Sequence, residues 1–73
     1  MKYIRYGMTI ISFTPEISHS TMNASMPGFR EPDSAGFWKL DKATGKIVTY
    51  GRSDSLNIDR NDIELDEMLL NNM

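Results

Sequence analysis

The chain has no cysteine, one histidine and one tryptophan in 73 residues. Without cysteine there is no disulfide, no thiolate nucleophile and no thiolate zinc site, a usage that fits a reducing compartment. A single histidine, His19, does not make a His-rich metal site, so neither a metal nor a cofactor is expected. Long hydrophobic runs are missing too. The longest, Met8-Thr9-Ile10-Ile11-Ser12-Phe13, is far shorter than the ~20 residues that span a bilayer. Lys2 and Arg5 precede it in the manner of a signal peptide, but Thr9 and Ser12 interrupt it and no small-residue cleavage site comes before Pro15. The expectation is a cytoplasmic protein without membrane contact. Basic charge is also scarce: eight Lys and Arg against ten Asp and Glu give a net charge of −2 and a pI near 5.1. Phosphate neutralisation needs clustered cations, so this balance counts against direct nucleic-acid binding. No Walker motif, G-x-S-x-G elbow or calcium loop is present, and a non-enzymatic protein is expected.

What remains is one small domain over residues 1–73. A chain of this size buries only about 60% of the surface that its unfolded form exposes. Below ~80 residues such cores usually lean on disulfides, a metal or a second subunit, and here the first two are missing. Homo-oligomerisation is therefore expected. The six methionines fit this picture. Met8, Met22, Met26 and Met68 suit an irregular core, because the thioether is flexible. Any of Met22, Met26, Phe29 and Trp38 left uncovered would mark an interface.

Residues 3–13 are rich in β-branched and aromatic side chains and predict one strand, with Gly7 a bend or bulge. Alternation sends Met8, Ile10 and Ser12 to one face and Thr9, Ile11 and Phe13 to the other. A strand apolar on both faces belongs inside a sheet or under a helix. Thr14-Pro15-Glu16 reads as a helix start, with Ser18 a second cap, and predicts a helix over 16–26 ended by Pro27-Gly28. The clearest signal is a hairpin. It begins at Ser34: Gly36 to Asp41 alternates, Lys42-Ala43-Thr44-Gly45 turns with one left-handed residue, and Lys46 to Tyr50 returns. Phe37 or Trp38, with Leu40, Ile47 and Val48, would form its buried side. After a polar loop at 51–57, Asp59 to Asp62 resembles a capping box opening a helix over 60–71. The fold class is α+β: a β-α-β-β-α domain with a three-stranded sheet, a central hairpin and two short packed helices.

Ser34-Ala35-Gly36-Phe37 and Tyr50-Gly51-Arg52-Ser53-Asp54-Ser55-Leu56 give the pattern S-A-G-F … Y-G-x-S-x-S-L. In this the chain resembles small uncharacterised phage and prophage proteins, over residues 8–70, with Ile11-Ser12 and Ser18-His19 fitting the first part. It departs at Asn57, where Gly is expected, and at Asn61, where Pro is common. The resemblance implies a phage-associated setting in the host cytoplasm, and with it a host-modulating or anti-defence role. It brings no known activity.

Two kinds of site are open. The hairpin's start and exit place His19, Ser34, Gly36, Tyr50, Arg52, Ser53 and Ser55 at strand and helix ends. There Arg52 suits a phosphate or carboxylate and Tyr50 or Trp38 a stacked base, so a small anionic, nucleotide-like ligand fits. The bland alternative is that these serines satisfy turn backbone groups and Gly51 relieves a strand end. The second site is a protein-binding face of Trp38, Asp62, Asp66 and Glu67, set against the plain reading of a solvated helix face. Two functions follow. The first is a non-enzymatic interaction protein that binds a host protein or itself; the second is an oligomeric small-ligand binder.

Overall fold

A computed structural model describes residues 1–26, 28 and 31–73. It is an α+β domain whose four-stranded antiparallel sheet has the order β2-β1-β3-β4. The strands are β1 (Lys2–Tyr6), β2 (Thr9–Phe13), β3 (Ser34–Asp41) and β4 (Lys46–Tyr50). A two-stranded ribbon, β5 (Arg52–Ser53) with β6 (Ile58–Asp59), follows, and the helices are α1 (His19–Ser25) and α2 (Ile63–Asn71).

The single strand predicted over 3–13 is a hairpin. Tyr6 pairs with Thr9 across Gly7-Met8, and Gly7 has φ 59. Glycine at the first turn position with a positive φ is the two-residue connection whose twist matches the flanking strands. Residue 7 is therefore a reversal, and the sheet has four strands instead of three. The Ser34–Asp41/Lys46–Tyr50 hairpin forms as expected, closed by Asp41 and Lys46, with Gly45 the left-handed residue at φ 74. Its buried side differs. Leu40 is 56% exposed, whereas Phe37, Trp38, Ile47 and Val48 are half-buried.

α1 is shorter than predicted. Ser18 caps it by accepting from the Thr21 amide at 3.1 Å, so the second cap wins over Thr14. Its expected end at Pro27-Gly28 lies partly outside the described residues, as do Phe29 and Arg30. α2 begins at Asp62, not Asp59: the Asp62 carboxylate accepts from Leu65 N. The preceding Ile58-Asp59 is taken up by the ribbon.

Strand alternation divides the two helices between opposite faces of the sheet. Ile4, Tyr6, Phe13 and Ala35 form the apolar core, with Ile11, Ile17, Met22, Met26, Leu56 and Ile58 packed on it. α1 lies on this face, where Tyr6 donates to Asn23 Oδ1 at 2.6 Å. Met22 and Met26 are core methionines; Met8 and Met68 are not, at 66% and 47% exposed.

The other face is polar at its centre. Tyr3, Arg5 and Ser34 all point at Asp66 of α2, whose side chain is fully buried. Tyr3 Oη donates to Asp66 Oδ2 at 2.6 Å, Ser34 Oγ donates to the same oxygen at 2.5 Å, and Arg5 Nε meets Oδ1 at 2.5 Å. The Arg5 fork also donates to the Gly7 and Asn61 carbonyls, both at 2.8 Å, while Asn61 N donates to Ser34 Oγ. Burial and the neighbouring carboxylate hold the Tyr3 phenol well above its ordinary pKa, so it stays a donor. Among the described residues no buried side-chain nitrogen or oxygen lacks a partner.

A fully satisfied buried ion pair costs most when half of it is removed. Asp66→Ala leaves the Arg5 guanidinium buried without its carboxylate and should destabilise by about 3–5 kcal/mol. Ser34→Ala, which strands one carboxylate bond and the Asn61 amide, should cost about 1–3 kcal/mol. Urea unfolding with unchanged slope measures both; a loss below about 1 kcal/mol for Asp66→Ala would remove this network from its central place.

Candidate functional site

The predicted ligand residues are divided between the two faces of the sheet, with His19 and Gly36 bonded to each other and Ser34 apart from them. Ser34 belongs to the Asp66 network on the α2 face. His19 lies on the α1 face, 3% exposed, with its ring edge-on to Phe13 and to Phe37, each centroid 5.5 Å away. His19 Nε2 donates to the Gly36 carbonyl at 2.9 Å. Gly36 is needed for close approach from the other side: a Cβ there would stand 2.9 Å from Arg60 Cγ. Tyr50 stacks on Phe37 at 5.6 Å and is 45% exposed. Ser53 is buried, its Oγ accepting from Leu56 N at 3.2 Å, and Ser55 Oγ accepts from Ser20 N at 3.0 Å. Arg52 Nη2 donates to Asn57 Oδ1 at 2.7 Å, and Nε lies 3.4 Å from Asp59. These groups tie the 51–59 segment to itself and to α1.

The acidic residues are divided: Asp66 and Glu67 face the sheet, whereas Asp62 is exposed. Asp66 is buried and Asp62 caps its own helix. Glu67 Oε2 accepts from Thr49 N at 2.7 Å and from Thr49 Oγ1 at 3.1 Å. Trp38 is half-buried, and its indole N–H donates to Ser12 Oγ at 2.7 Å. Asp66, whose carboxylate does not reach solvent, is corrected from partner-binding to structural. Among the described residues no cluster of three or more metal-ligating side chains occurs, and no helix is long and apolar enough to cross a membrane.

The Glu67 contact belongs to a larger pattern along the sheet edges. β3 pairing turns the main-chain groups of Lys46, Val48 and Tyr50 inward, leaving those of Ile47 and Thr49 facing out. All four outward groups are met by side chains. Asn71 Oδ1 accepts from Ile47 N at 2.8 Å and Asn71 Nδ2 donates to Ile47 O at 3.1 Å, so the carboxamide stands in for a neighbouring strand. Glu67 takes Thr49 N, and Arg60 Nη1 donates to Thr49 O at 2.9 Å. The β4 edge is closed.

The β2 edge is open. The Gly7 hairpin places the main-chain groups of Thr9, Ile11 and Phe13 toward β1, so those of Ile10 and Ser12 face outward. Among the described residues nothing bonds to these two amides and two carbonyls. Around them Met8 and Thr9 are exposed while Ile10, Ile11 and Ser12 are half-buried. From Met8 to Thr14 there is no charged residue and no proline, the usual guards of a free edge. A strand whose sequence is that of a sheet interior thus stands at the sheet's margin. Sequence reasoning missed this because it merged β1 and β2; the signal was Tyr6-Gly7-Met8-Thr9, a glycine-led turn between two apolar runs.

The His19 environment has a pH consequence. Desolvation pushes its pKa below the ordinary value, and Lys2 acts in the same direction, against the bond to Gly36. The unfolded chain therefore takes up the proton first, and stability is present above the unfolded pKa of about 6.5 and lost as pH falls through it. The loss ends once the folded ring is also protonated. His19→Phe should lack this component, so wild type should lose stability relative to the variant from pH 7.5 to 5.5 in denaturant titrations. A constant difference would contradict the assignment.

No family model matches this chain, and no curated protein or solved structure matches it either.

Proposed function

We propose that this chain is a non-enzymatic interaction protein that binds by strand addition, taking an extended segment of its partner along the outer edge of β2. The observation that carries the reading is the asymmetry of the sheet. One edge has every outward main-chain group met by a side chain, and the other, among the described residues, has none met and no guarding charge. Exposed strand edges template pairing, and proteins that do not use them blunt them. In strand addition the main chain supplies affinity and alternate side chains supply specificity. Here Ile10 and Ser12 present one face and Thr9, Ile11 and Phe13 the other. The phage-type pattern of the sequence makes modulation of a host or defence protein the corresponding role, with the host protein or a second copy as source of the strand.

The alternative, an oligomeric nucleotide-like ligand binder, draws less support. Four of the seven residues expected to hold an anion, Ser34, Arg52, Ser53 and Ser55, already bond to groups of the chain itself.

A library of displayed random heptapeptides tests the proposal. Selected binders should perturb the amide resonances of Thr9–Phe13 and leave those of Lys46–Tyr50 unmoved. Chemical synthesis with N-methyl-Ile10 removes one outward donor and no inward one, and should weaken binding at least tenfold while the folded spectrum persists. Binders that map to β4 or α2, or that ignore the N-methyl group, would overturn strand addition at β2.

A further inference from the structure

Resting on that reading, we infer that the strand β2 accepts is the β2 of a second copy of this chain, paired antiparallel about a two-fold axis at Ile11. The outward groups set the register. For Ile10 and Ser12 to exchange both of their main-chain bonds, Ile10 must stand opposite Ser12 of the other copy, which puts Ile11 opposite Ile11. The symmetry repeats the Ile10–Ser12 exchange on each side of the axis, giving four main-chain hydrogen bonds and one continuous eight-stranded sheet from two four-stranded ones.

The side chains suit this register. Ile11 meets its own image on the α1 face, flanked by Phe13 against Thr9, and Ile10 meets Ser12 on the α2 face. Such β-branched and aromatic cross-strand pairs are the stabilising unit of a sheet. The charge pattern also permits self-pairing. The whole chain is acidic at −2, yet the stretch from Met8 to Thr14 is uncharged, so the two-fold brings no like charges together along the strand. The ends of the edge match as well. The register sets the Gly7 turn of one copy against Pro15 of the other, and Pro15 has no amide to continue the ladder. Pairing would make β2 an interior strand, the environment its two apolar faces call for. It would also extend a core in which, among the described residues, only Tyr3, Ile4, Tyr6, Phe13, Ala35 and Leu70 are buried hydrophobics. A second subunit is the usual support for so small a core.

Light scattering on the full chain from micromolar to millimolar concentration should give twice the monomer mass of 8.3 kDa at the upper end. The N-methyl-Ile10 chain, with every side chain intact, should stay at 8.3 kDa throughout. Register is read with single cysteines, since the chain has none of its own. Under mild oxidation Ile11→Cys should form a covalent dimer at least tenfold faster than Thr9→Cys, which sits opposite position 13, or Thr44→Cys at the β3–β4 turn. A monomer at all concentrations, a dimer that persists with N-methyl-Ile10, or cross-linking as fast at 44 as at 11 would overturn the self-pairing. A monomer that still binds the selected heptapeptides at β2 would overturn self-pairing alone. A monomer that binds none of them would overturn strand addition as well.

Discussion

The buried carboxylate of Asp66 sets the arrangement of nearly everything on one side of this protein. It is received by Tyr3 and Arg5 from β1 and by Ser34 from β3, so a single helical residue fastens α2 across the two central strands. Charge in a protein interior is tolerated only when fully paired and hydrogen-bonded, and the directional bonds then leave few alternative placements. Arg5 extends the constraint by holding the Gly7 and Asn61 carbonyls, which tie the β1–β2 turn and the approach to α2 to the same centre.

The consequences run along the helix by its own periodicity. With Asp66 facing the sheet, Leu70 one turn later is buried beside it, and the adjacent row, Glu67 and Asn71, falls over β4. The β4 edge is closed because the Asp66 anchor fixes which way α2 faces. Ile63, Glu64 and Met68 are left on the outer surface. α2 also lies against β2, but among the described residues none of its side chains bonds to the outward main-chain groups of Ile10 and Ser12. The same anchored helix that guards one margin of the sheet leaves the other as the place where main-chain groups and apolar side chains are both available.

Much of the fold was legible in local chemistry. The β3–β4 hairpin followed from alternation and the Lys42–Gly45 turn, and α2 from its apolar positions and acidic start. The four-stranded sheet was not legible, because Gly7 inside an apolar stretch reads equally as a bulge or a reversal, and only pairing with β1 decides between them. Polar character near strand ends does not distinguish a side chain waiting for a ligand from one already holding its own turn, and Ser53, Ser55 and Arg52 each bond within the chain. The role of Asp66 is hidden from the sequence for a related reason. Its spacing from Asp62 suggests one anionic face, but its partners are more than thirty residues distant in sequence, and no local pattern reports them.

The unequal edges are the centre of this account, and amide hydrogen exchange resolved by residue measures them directly. In dilute monomer the Ile10 and Ser12 amides should exchange quickly while those of Ile47 and Thr49 exchange slowly, and raising the concentration should protect Ile10 and Ser12 alone. Protection of Ile10 and Ser12 in the isolated monomer, or rapid exchange at Ile47 and Thr49, would contradict it.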